Sequence, residues 1–111
     1  MLYNPQGTQP QQVTRFPGAA TVTEFSLTTT QTIILSDRNT TQTRRGLTVY
    51  NDGTANALFS YGTSISASAF TAEILPGGWI EDSPSNPWQG PAVMRSTNNP
   101  TTVNVTEIIL L

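Results

Sequence analysis

The groups that could do chemistry in this chain are seven carboxylates, five arginines and a set of exposed-type aromatics. There is no His, so the usual general base and the commonest metal ligand are missing. There is no Cys, which removes a thiol nucleophile, a zinc ribbon and a disulfide framework. A serine nucleophile has no base to activate it. A glycosidase needs two carboxylates at a defined separation. Glu81 and Asp82 are strand neighbours and point to opposite faces. Glu73 and Glu81 flank the turn at 75–78 and could face each other across a hairpin, a weak pair with nothing else to support it. "DSPSN" at 82–86 only faintly echoes a calcium loop, and no glycine cluster opens a helix that could cradle phosphate. "NTT" at 39–41 and "NVT" at 104–106 match the glycosylation sequon and are expected to be chance matches, since the first residues show no signal-peptide pattern. The expectation is a protein without catalytic activity, cofactor or metal.

What remains is binding through aromatics and amides. The stretch "LTVYNDGTANALFSYGTSIS" (47–66) reads as strand, turn, strand, with Leu47 and Val49 inward and Leu58 and Phe59 on opposite faces. Thr48, Tyr50 and Ser60 are then candidates for a subunit contact surface. Trp79 is expected in the core. Trp88, inside "DSPSNPWQGP", is expected to plug one end of the fold or to meet a partner. A sugar platform of exposed Trp and Tyr beside Asn, Gln and carboxylates is the competing reading.

Charge narrows the partners. Charged residues make up 11% of the 111, every basic residue is Arg, and the net charge is −2. Such a chain cannot neutralise a run of phosphates, so nucleic acid is excluded. A surface poor in Lys and Glu resembles protein–protein interfaces. No apolar run reaches the length of a membrane span, and the first residues lack a signal-peptide pattern. The expectation is a soluble protein made in a cytoplasm, with much of its surface covered by other chains.

The elements that position these groups are strands. Residues 1–20 are rich in Gln, Pro and Gly and read as an extended arm, anchored by Leu2, Tyr3, Val13 and Phe16. Residues 21–111 read as one antiparallel β-sandwich or jelly-roll-like barrel of about eight strands, because Thr, Val and Ile dominate and helical periodicity is absent. The expected strands are 21–28, 31–36, 45–51, 56–62, 69–75, 78–82, 91–96 and 101–110. "NDG" at 51–53 offers a left-handed turn position and "LPGG" at 75–78 a Pro-Gly turn.

The order of "RRGLTVYNDGTANALFSYG", "ILPGGWIED", "PWQGPAVMRS" and "TVNVTEI" behind a Pro-rich arm resembles small virion proteins of tailed bacteriophages, in particular capsid decoration (cement) proteins, over residues 44–108. That resemblance implies a homotrimer on the outer capsid surface that clamps neighbouring capsomers, with the major capsid protein as partner. It carries over no catalytic residue. Under this reading Tyr3, Arg15, Phe16, Tyr50 and Trp88 are the candidate partner-binding residues. A glycan-binding sandwich and a tail or baseplate adaptor are the alternatives.

Overall fold

The computed structural model describes residues 18–40, 42–83 and 85–110. Among these, eight strands form two four-stranded sheets: β1 (Gly18–Leu27), β2 (Thr32–Leu35), β3 (Arg44–Asn51), β4 (Ala57–Tyr61), β5 (Ala72–Ile74), β6 (Trp79–Glu81), β7 (Ala92–Ser96) and β8 (Thr101–Leu110). One sheet has the order β1-β8-β3-β6 and the other β2-β7-β4-β5. Every pairing is antiparallel. This is the jelly-roll order, in which the chain passes repeatedly between the two sheets. The expected strands match within a few residues. The first begins at Gly18, so residues 18–20 belong to the sheet and not to the arm.

Alternation builds the core. Val103 and Val105 of β8, Leu47 and Val49 of β3, and Phe59 of β4 point between the sheets and are buried with Leu27, Leu35, Ile74 and Met94. Leu58 lies on the other face of β4, outside that cluster, yet is buried too. The segment after β4 is tied down by Gln31, whose amide donates to Thr63 O (2.7 Å) and accepts from Ile65 N (3.0 Å).

Three expectations about connections are corrected. Residues 47–61 are not a hairpin: β3 and β4 lie in different sheets, and 51–56 is a crossing between layers. Glu73 and Glu81 do not face each other, because β5 and β6 also lie in different sheets. Ser60 does not share a face with Thr48 and Tyr50, since it pairs with Val93 in the other sheet. The turn chemistry explains why the crossings resemble hairpins. Gly77 has φ 80° and Gly78 N donates to Leu75 O (2.8 Å), a Pro-Gly turn as expected, but it joins two layers.

At 51–53 the glycine serves another purpose. Gly53 is not left-handed; a Cβ there would lie 1.9 Å from Thr101 Oγ1, so only glycine lets the crossing approach β8. Asn51 organises that approach. Its buried amide donates to Ala55 O and Ile74 O (both 2.8 Å) and accepts from Thr101 Oγ1 (2.9 Å) and Gly53 N (3.1 Å). All four of its hydrogen-bonding positions are used, so its burial carries no desolvation penalty left unmet.

Candidate functional site

Three features stand out from the scaffold: a buried arginine clamp, an aromatic stack beside it, and the outer face of the β1-β8-β3-β6 sheet.

The clamp depends on a bulge. Leu47 pairs with Glu107 and Gly46 with Ile108, but Ile109 pairs with Arg44, so Arg45 is the extra residue. The slip turns Arg44 inward, onto the face that Leu47 and Glu107 share. Fully buried, its guanidinium donates to Glu107 Oε2 (2.7 Å), Trp88 O (2.6 Å), Gly90 O (3.0 Å) and Ser36 O (2.7 Å). Gln89 closes the same knot, accepting from Arg44 N and donating to Arg44 O (both 2.7 Å). Arg38 reaches Glu107 from outside with two bonds of 3.1 Å. Burial pushes the Glu107 carboxyl up, but the hydrogen bonds and charges of Arg38 and Arg44 outweigh it and hold the group below the ordinary carboxylate range. Glu107 is therefore a fixed anion that ties three segments together and not a proton donor.

The stack runs from core to surface. Phe59 meets Tyr61 edge-on at 5.2 Å, and Tyr61 meets Trp88 at 5.3 Å. Trp88 folds over Gly90, where a Cβ would come within 2.4 Å of its ring. Its indole N–H donates to Pro91 O (2.8 Å), and its backbone N–H donates to Asp82 Oδ2 (2.6 Å). Tyr61 OH donates to Asp82 Oδ1 (2.7 Å), and burial together with that carboxylate pushes its phenol up to about 12. Beside the stack lies an open cleft of about 340 Å³, bordered by Asn39, Tyr61, Asp82 and Trp88. The polar ends of both aromatics are already engaged by the protein. Trp88 covers Tyr61 and Gly90 at this end of the fold and is itself 39% exposed.

The outer face is different. Trp79 is 62% exposed, which corrects the expectation that it is core. Its neighbour Ile80 takes the inward position opposite Val49, so a three-residue strand turns both Trp79 and Glu81 out. Trp79 pairs with Tyr50, Tyr50 with Asn104, and Asn104 with Glu24, a single row across all four strands. Val22, two residues from Glu24 on the same face, is 65% exposed.

Of the predicted partner-binding residues, Tyr50 lies in this row and Trp88 in the aromatic stack. They sit toward opposite ends of β6 and form no common site. Tyr3, Arg15 and Phe16 lie outside the described residues. Sequence reading missed Val22 and the exposure of Trp79; the alternation of β1 and the inward demand of Ile80 were the available signals. Among the described residues there is no group of three His, Cys, Asp or Glu able to hold a metal.

No family model matches the chain, and no curated protein matches it. Among solved structures similar in fold is a chain from work titled "Bacillus endospore appendages form a novel family of disulfide-linked pili", at 14% identity and a TM-score of 0.52, covering 96% of this chain and 99% of that one. At that identity the likeness concerns the fold alone.

Proposed function

We propose that this chain is a structural virion protein that binds the outer surface of a phage capsid and stabilises it by clamping neighbouring capsomers. The major capsid protein is its partner, and it acts as an oligomer, a homotrimer of the kind the motif resemblance implies. The single observation that carries the reading is the outer face of the β1-β8-β3-β6 sheet, where Trp79, Tyr50 and Val22 are exposed on a surface without a lysine. Large aromatics with few long charged side chains around them form the hot-spot type of protein contact. The described carboxylates and phenols are held in structural roles or stand alone, so nothing in the geometry favours catalysis.

Purified protein added to expanded capsids that lack it should co-sediment with them and raise their melting temperature. Trp79→Ser should weaken both effects without unfolding the domain. Normal capsid binding by that variant would move the contact elsewhere; no binding by the wild type would defeat the reading.

A self-assembling filament is the second reading, and the fold likeness to a chain of disulfide-linked pili favours it. With no Cys, a filament of this chain would be held by non-covalent contacts alone. Glycan binding draws less support, because the indole and phenol donors at the cleft are already satisfied.

A further inference from the structure

The four strands at the sheet margins are not alike. β6 and β5 are three residues long, and β2 has four with a bulge at Ile34. Short length and bulges are the ordinary means of keeping a sheet edge from recruiting another chain. β1 has neither. It runs ten residues without Pro, Lys or bulge, in unbroken register from Gly18↔Leu110 to Leu27↔Thr101. Only Glu24 is charged, and from Gly18 to Glu24 both faces of the strand are largely exposed. Among the described residues nothing pairs with its outer edge.

We propose that β1 is a two-fold junction, pairing antiparallel with β1 of a second copy to make one continuous eight-stranded sheet. The inference rests on the reading of the chain as a self-associating structural subunit and specifies how copies meet. The occupant is set by chemistry. A strand filling a ten-residue edge must donate and accept at every second residue along it. The chain's own arm is the poorer occupant: Pro5, Pro10 and Pro17 lack N–H groups, pairing is interrupted wherever one of them faces β1, and residues 11–16 are its longest proline-free run before β1. A second β1 meets the requirement, and an isologous pairing closes on itself, leaving no new edge for further growth.

The register follows from the side chains. Antiparallel partners directly opposite each other point to the same face, so the two-fold falls on one residue. Centring it on Glu24 opposes two carboxylates, which is unfavourable. Centring it on Thr23 sets exposed Val22 against Glu24. Centring it on Val22 places the most exposed large apolar residue among the described residues against itself, Thr21 against Thr23, Ala20 against Glu24, and bulky Phe25 against small Ala19. The structure therefore favours Val22 on the axis. The junction joins copies in pairs, so dimers, or trimers linked two by two through a separate surface, are the particles it produces.

Because the chain has no Cys, a single introduced thiol reports the axis without ambiguity. Val22→Cys should form disulfide-linked dimers in mild oxidant. Ala20→Cys and Glu24→Cys should not, since each lies about 13 Å from its own copy along the strands. Val22→Lys places two ammonium groups on the axis and should dissociate the pair while leaving the circular dichroism spectrum unchanged, as befits an exposed side chain. Self-cross-linking at residue 20 or 24 would overturn the register. Particles that stay associated with no cross-link at Val22 would overturn the junction and leave the structural reading standing; if deleting residues 1–17 then disperses them, the arm is the contact. A wild-type monomer that also ignores capsids would end both.

Discussion

Replacing Arg44 with Met removes four hydrogen bonds from one buried guanidinium. Three carbonyls, of Ser36, Trp88 and Gly90, lose their charged donor, and Glu107 keeps only Arg38. Breaking a buried ion pair by deleting one partner costs about 3–5 kcal/mol. The remaining Arg38 lowers that figure, and the three stranded carbonyls raise it by a comparable amount. The loss comes to about 4 kcal/mol, a large share of the roughly 5–15 kcal/mol expected of such a domain. Urea unfolding should show the midpoint falling with little change in slope, and Tm should drop by about 15 °C. The acid side adds a second check. The folded-state pKa of Glu107 lies below its ordinary value, so the unfolded chain takes up the proton first as pH falls. Its stabilisation is complete above the unfolded value and is lost as pH drops through the folded one. Arg44→Met should therefore flatten the loss of stability below the ordinary carboxylate range. A cost under about 1 kcal/mol, with an unchanged acid limb, would refute the clamp.

Gly53→Ala drives a methyl group into Thr101 and the Thr102 amide and should cost at least about 2 kcal/mol by the same unfolding measurement. Ser96→Ala should be neutral or stabilising by about 1 kcal/mol, because the buried Ser96 hydroxyl has no hydrogen-bond partner. In a spectrophotometric titration of the three tyrosines, one should ionise late, near pH 12, and Asp82→Asn should bring it earlier. Late ionisation that survives Asp82→Asn unchanged would mean that burial alone holds the phenol.

The strands were legible because Thr-, Val- and Ile-rich runs between Gly, Pro and Asn breaks leave little choice but β structure. Val103, Val105, Leu47 and Val49 took the faces that alternation gave them. The partner of each strand was not legible. "NDGTAN" and "LPGG" have turn chemistry that suits a hairpin and an inter-layer crossing equally, and only the packing of two sheets decides between them. Trp79 was misread because a three-residue strand has too few positions to fix its parity; the core took Ile80 instead. Arg44 was invisible for a related reason. One extra residue, Arg45, reverses the alternation, and no sequence rule announces that slip. The outer face could be read only once the Trp79–Tyr50–Asn104–Glu24 row was in register.

Quantitative mass spectrometry of washed particles from an infected culture tests the central claim most directly. Under the proposed function, many copies of this chain should be found per particle, in fixed proportion to the major capsid protein and retained after the tails are removed. Its absence from the particles, or its loss with the tails, would contradict the account.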